Sequence, residues 1–216
     1  MTDEFLPMHR SKPMATYALI AANVIVFFIA ARHPASHIDW NYALHREGLQ
    51  AGHWWQLITF QFLHGGFVHL FLNCWGIWVF GPPIELALGK RNFLTLYLAS
   101  GVAGGLLQVG ASILSAKFGG PVVGASAGLF GLIAAFTTLY PDIRLTVLLF
   151  LVIPAKMTAN TMLTVAAAIT VVGLCVTGLW PNLAINRVAH AAHLGGLLTG
   201  LIFLRWKMRA LFVRRD

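Results

Sequence analysis

The sequence predicts an all-α polytopic membrane protein, a bundle of six transmembrane helices, and three observations carry that prediction. The composition is 58% hydrophobic and only 10% charged, with a mean hydropathy of +0.74, whereas soluble domains carry about 25% charged residues. Six stretches approach the roughly 20 apolar residues that cross a bilayer. The basic residues between those stretches fall mostly on alternate connections. At 216 residues the chain holds one polytopic domain. It reads as a short polar N-terminal segment (1–14), the membrane domain (15–206) and a basic tail (207–216).

The first span covers about residues 17–31 and follows a polar start containing Arg10 and Lys12. A signal peptide would carry a better cleavage pattern, and five more spans follow, so this one is read as retained. The second runs over about 64–81. The third covers 93–114, and a shorter fourth 125–140. Residues 145–154 are apolar but too few to cross, and read as an interfacial or partly re-entrant connection. The fifth and sixth spans cover 159–180 and 188–204. Cys74 and Cys175 fall inside apolar runs and read as buried small hydrophobes, not a disulfide or a metal pair.

An even number of spans puts both termini on one side. With that side cytoplasmic, the inner set is Arg10, Lys12, Lys90, Arg91, Arg144, Lys156, Arg205, Lys207, Arg209, Arg214 and Arg215, eleven of the 15 basic residues. Arg32, Arg46, Lys117 and Arg187 remain outside, so the asymmetry favours cytoplasmic termini. The connection 32–63 then lies outside, and its Trp40, Tyr42, Trp54 and Trp55 suit the headgroup level. The net charge of +8 therefore belongs to membrane anchoring; a nucleic-acid partner would need a basic face on a soluble domain. Economy of chain suggests a bacterial inner membrane.

Four polar residues sit within the spans: His69, Asn73, Ser126 and His193. Polar groups at membrane depth are costly unless partnered, which makes each a functional candidate, with hydrogen bonding between helices as the plain alternative. Depth favours function. Ser126 lies about 21 Å and His193 about 18 Å from the inner ends of their helices, at 1.5 Å per residue. In a core about 30 Å thick both sit roughly 10 Å below the outer surface. His69 falls at a similar level, with Asn73 one turn below it on the same face. Gly124, Gly128 and Gly131 line the fourth span, and Gly195, Gly196 and Gly200 the sixth, so the two backbones can approach closely.

This layer supports acyl transfer. Serine becomes a nucleophile when a neighbouring base takes its proton, and His193 suits that task. An oxyanion needs donors, which His69, Asn73 and the backbone N–H of Ser126 can supply. No Asp or Glu lies at this depth, so the site is a Ser-His dyad, with Phe130 placed to stack on the imidazole. His190 near His193 suggests a metal pair only until one notes the lack of H-E-x-x-H and of nearby carboxylates; neither metal nor cofactor is expected. His9, His33, His37, His45 and His53 lie outside the spans.

From about residue 50 to 205 the chain resembles the rhomboid family of intramembrane serine proteases. The resemblance rests on His64-x4-His69-x3-Asn73, Gly124-Ala125-Ser126-Ala127-Gly128, Ala192-His193-x2-Gly196-x3-Gly200, and Glu85 just past the second span. It implies a six-helix core, Ser126 as nucleophile, His193 as general base, an oxyanion hole involving His69 and Asn73, and His64 near its entrance. It also implies that the substrate partner is a transmembrane segment of another protein, cut near the outer surface. Two positions depart from the family pattern. Trp55-Gln56 stands where Trp-Arg is common, which questions the first loop's polar anchoring, and Phe130 stands where Tyr is frequent. Two other readings remain: a non-catalytic rhomboid-like binding protein, and a small transporter, which the lack of an inverted repeat disfavours.

Overall fold

A computed structural model describes residues 12–32, 40–149, 153–180 and 188–212, with the backbone alone at 148, 149, 153 and 209–212. Helix α1 (Met14–Ala30) leads to a connection holding α2 (Arg46–Gln50), α3 (Gln56–Thr59) and a 3-10 turn at Phe60–Phe62. Then come α4 (Phe67–Leu88), α5 (Lys90–Leu114) and α6 (Ser126–Leu139). An antiparallel hairpin, β1 (Arg144–Leu149) and β2 (Ile153–Thr158), joins α6 to α7 (Ala159–Leu179), and α8 (His190–Phe212) follows. Each stretch predicted to span falls on a helix. Of these, α4, α5 and α7 are long and apolar enough to cross a membrane, while α1 and α6 are apolar but have 17 and 14 residues.

Three boundaries differ from the sequence reading. Helix α4 does not stop at Gly81 but runs through Pro82 and Pro83 to Leu88. Two missing amide donors are outweighed by what the last turn packs. Ile84 is fully buried, and the buried Glu85 carboxylate accepts from Ala15 N at 2.9 Å, Thr16 N at 2.7 Å and Thr16 Oγ1 at 2.8 Å. Those donors open α1, whose own N-cap, Pro13, offers no side-chain acceptor. Glu85, placed beyond the span by the sequence, is thus inside α4 and caps α1 from a neighbouring helix. Helix α8 continues past residue 206 to Phe212, because Arg, Lys, Met and Leu are good helix formers; the basic segment is no separate tail there. The connection read as interfacial or partly re-entrant over 145–154 belongs to a β-hairpin with strands Arg144–Leu149 and Ile153–Thr158. Its apolar alternation at Leu145, Val147, Ala155 and Met157 has the two-residue period of a strand. Cys74 is half-buried and Cys175 exposed on α7, so the buried reading fails for the second, which lies on the outer face of the bundle. Arg10, His9, His33, His37, Arg187, Arg214 and Arg215 lie outside the described residues.

The bundle is centred on α5, α6 and α8, which pack on one another. Glycine sets their spacing. A Cβ on Gly104 of α5 would run into the Ala192 carbonyl oxygen and stand 2.8 Å from Ala127 Cβ. One on Gly195 would lie 2.8 Å from Gly104 Cα, one on Gly196 would overlap the Ala127 carbonyl, and one on Gly200 would overlap that of Gly131. The three helices therefore meet backbone to backbone, as small residues allow when no bulk water drives association. At the end where α1 starts and α4 finishes, Ile84, Phe93, Leu96, Leu132 and Leu204 form a buried cluster. A smaller cluster of Leu44, Leu49, Phe60 and Val122 lies around the connection that precedes α4.

Replacing Glu85 by Ala strips three donors at a buried helix start of their acceptor. The expected loss is about 3 kcal/mol, read as a lower unfolding midpoint in detergent micelles, whereas Leu86→Ala on the exposed face leaves the midpoint nearly unchanged.

Candidate active site

Ser126 is the first residue of α6, and the backbone before it is pinned from the opposite side of the chain. Leu44 and Val122 exchange both backbone hydrogen bonds, at 3.0 and 2.8 Å, and Gly124 N donates to Phe60 O at 2.9 Å. Gly124 has φ +123°, a value that glycine adopts without strain. His193 sits in the first turn of α8, and Nε2 of its ring lies 2.8 Å from Ser126 Oγ. Phe130, one turn along α6, lies parallel to that ring, with centroids 4.3 Å apart and planes 9° apart. Both Ser126 and His193 are half-buried.

His69 comes from the first turn of α4. The place of a Cβ on residue 124 is 2.7 Å from His69 Cε1 and Nε2 and 3.8 Å from Ser126 Oγ. Glycine thus leaves the space in which the imidazole and the hydroxyl face one another. The structure does not bring Asn73 to a hydrogen bond with either group. Its amide donates at 2.9 Å to the carbonyl of His69 in its own helix, which occupies one of its two N–H bonds. His64 is buried in the turn before α4. Its ring stands edge-on to His69 at 5.1 Å, and its Nδ1 lies 3.3 Å from the Phe62 carbonyl.

The glycines are shared differently from the sequence reading. Gly196 and Gly200 do bring α8 onto α6, against Ala127 and Gly131. Gly128 instead makes room for the ring of Tyr97 on α5, 2.6 Å from where its Cβ would be. Gly124 precedes the first residue of α6 and has φ +123°, so helical spacing does not carry its face to residue 128, which lies on the α5 side. His190 fills a notch at Gly173 of α7 and stands edge-on to His193 at 6.2 Å. Among the described residues no three His, Cys, Asp or Glu side chains gather as a metal site.

One positioning residue, Gln108, escaped the sequence reading, and a second, Gln56, was read there only as a loss of anchoring. Gln108, buried in α5, accepts from Ala192 N at 3.3 Å and donates to Phe118 O at 2.9 Å. It ties the residue before His193 to the loop leading into Ser126, and its lone amide in an apolar span was the available signal. Gln56 is fully buried; it donates to Trp40 O at 3.1 Å and Asn41 O at 3.4 Å, and accepts from His45 N at 3.4 Å. The loop that the missing arginine left in question is anchored by the glutamine itself, which holds the strand-like segment that grips Val122.

The arrangement is a helical membrane bundle with a serine and a histidine in hydrogen-bond contact at the starts of two helices. Residues 51–209 match the model of the Rhomboid domain family, and the chain belongs to the rhomboid family. It is 33% identical over 138 residues to the putative rhomboid protease YdcA of Bacillus subtilis, covering 62% of this chain and 66% of that protein. It is 28% identical over 193 residues to the rhomboid protease GluP of the same organism, covering 88% and 34%. To the mitochondrial rhomboid protein 1 of Saccharomyces cerevisiae it is 30% identical over 188 residues, covering 87% and 51%. The chain thus spans from about a third to two thirds of the length of these relatives.

Two outcomes follow from the geometry. Gly196→Ala forces α8 off Ala127 and should cut labelling of Ser126 by a serine-directed phosphonate on the order of 100-fold, the cost of misplacing reacting groups by about an ångström. Gly110→Ala, with open space around it, should leave labelling unchanged.

Proposed function

We propose that this chain is an intramembrane serine endopeptidase that cuts transmembrane segments of other membrane proteins through a Ser126–His193 dyad. The observation that carries the reading is the 2.8 Å approach of His193 Nε2 to Ser126 Oγ, in a chain of the rhomboid family. The roles of the two residues follow from simple chemistry. His193 takes the hydroxyl proton as Oγ attacks the peptide carbonyl, then gives it to the leaving amine, and a water repeats the cycle to release the acyl group. The imidazolium formed in between lies flat on Phe130, whose π-face stabilises a cation.

The oxyanion of the tetrahedral intermediate would be met by N–H groups at the α6 N-terminus, which have no acceptor within the helix. His69 supplies a further donor across the Gly124 gap. Asn73 joins by its remaining N–H after a rotation of its side chain. In this reading all six helices cross the bilayer, with the short α1 and α6 close to the membrane normal and the bilayer locally thinned around them, and both termini are cytoplasmic, as the eleven-to-four division of basic residues favours. The reacting layer then lies near the outer leaflet of a bacterial plasma membrane, a placement that the Bacillus relatives support.

The test is cleavage of a membrane-protein substrate co-reconstituted in vesicles. Ser126→Ala and His193→Ala should each lower the rate at least about 10³-fold, and the double variant little further, because the pair acts as a unit. Cleavage undiminished in Ser126→Ala would defeat the proposal. Intact binding of the segment without any cleavage in the wild type would instead favour a non-catalytic role.

A further inference from the structure

Of the three helices long and apolar enough to cross a membrane, α7 is the least enclosed: 22% of its most apolar stretch is buried, against 33% in α4 and 44% in α5. Its C-terminal end nevertheless stands beside the site, since His190 fills the notch at Gly173 and faces His193. Packing at that end is incomplete. A cavity of about 60 Å³ lies between α7, the loop 117–122 and the start of α8, and Lys117, Gln108, Thr177, Val188 and His190 line it.

The end of a helix presents carbonyl oxygens without partners in the helix and carries a partial negative charge. Helix α7 has no basic residue in its own last turn. The cation comes from elsewhere in the chain: Lys117 Nζ donates to the Gly178 carbonyl at 2.6 Å, across 61 residues of sequence. The backbone of Lys117 is itself fixed. It belongs to the 3-10 turn Ala116–Phe118, and its N–H donates to the capping Ser115 Oγ at 3.3 Å. The next residue, Phe118, gives its carbonyl to Gln108, which also accepts from Ala192 N beside His193. Four residues further on, Val122 pairs with Leu44 ahead of Ser126. One short turn thus reaches α7 by a side chain, α8 through Gln108, and α6 along the backbone. Glu85 does the converse for α1, a carboxylate brought to a helix start from a neighbouring element.

We propose that Lys117 is a positioning residue. As a cap supplied from outside the helix, its ammonium holds the end of α7 to the turn that precedes Ser126, and so keeps the Gly173 notch over His190, next to His193. The cavity beneath the contact means that side-chain packing does not replace the charge. The effect on α7 stands on this geometry alone, while an effect on rate rests on the catalytic reading of Ser126 and His193.

Two measurements on the full chain in micelles test the proposal. In the first, Cys74→Ser leaves Cys175, exposed on α7 and three residues before Gly178, to carry a nitroxide. Lys117→Gln should sharpen its spectrum, the mark of a looser helix end, and Lys117→Arg should keep the spectrum seen with lysine. In the second, Lys117→Cys is combined with Cys74→Ser and Cys175→Ser, and phosphonate labelling of Ser126 is followed. The rate should fall about fivefold, the upper range for a cation at an exposed helix end. Alkylating the introduced thiol with 2-bromoethylamine, which rebuilds an ammonium at the length of lysine, should restore the rate, and the neutral adduct of iodoacetamide should not. A nitroxide spectrum indifferent to Lys117→Gln, or equal recovery with both adducts, would overturn the proposal. If the chain with lysine at 117 takes no phosphonate at all, the catalytic reading fails and the spectrum alone decides the role of Lys117.

Discussion

Everything at the candidate site depends on α8 touching α6 and α5 at the level of the backbone. Gly196 lies against the Ala127 carbonyl, Gly200 against that of Gly131, and Gly195 against Gly104. Side chains of ordinary size at these points would hold the helix axes apart by several ångströms, and no rotamer of His193 would then recover a 2.8 Å approach to Ser126. In a bilayer, where burial of apolar surface does not drive helices together, such contacts supply dispersion and rigidity. The packing that holds the bundle together also sets the distance between Ser126 and His193.

Ser126 and His193 are further tied from the side by buried polar residues. Gln56 holds the segment around residues 40–45, that segment exchanges hydrogen bonds with Val122, and Val122 precedes the glycine turn that opens α6. Gln108 does the equivalent for α8 through Ala192. Each is a buried amide with partners, so its desolvation is compensated. Glu85 plays a similar part at the opposite end, where it caps α1. A membrane bundle with few charges thus uses single polar side chains as rivets between elements distant in sequence.

Much of this was legible in the sequence. Hydropathy alone located the long helices, and the depth at which Ser126, His69 and His193 fall singled them out from hydroxyls and imidazoles elsewhere. Phe130 follows from helical spacing, since one turn from Ser126 puts its ring beside whatever approaches the hydroxyl. What stayed hidden depends on backbone partners, which leave no mark on residue types. Nothing in Gln56 announces that its amide meets the carbonyls of Trp40 and Asn41. The helix through Pro82 and Pro83 was unreadable because the compensation comes from α1, seventy residues earlier. Gly128 and Gly196 share a small-residue signature, but their true neighbours, Tyr97 and Ala127, are decided by rotation about the helix axes. The hairpin at 144–158 was seen as apolar and short; its strand pairing required the register.

The most direct measurement is an experimental structure of the wild-type chain in a lipid nanodisc, at a resolution that places side chains. The account predicts Ser126 Oγ within about 3.2 Å of His193 Nε2, hydrogen-bond reach, with Gly196 still seated on Ala127. A structure in which α6 and α8 stand apart and the two atoms are separated by more than about 6 Å, well beyond any proton transfer, would contradict it.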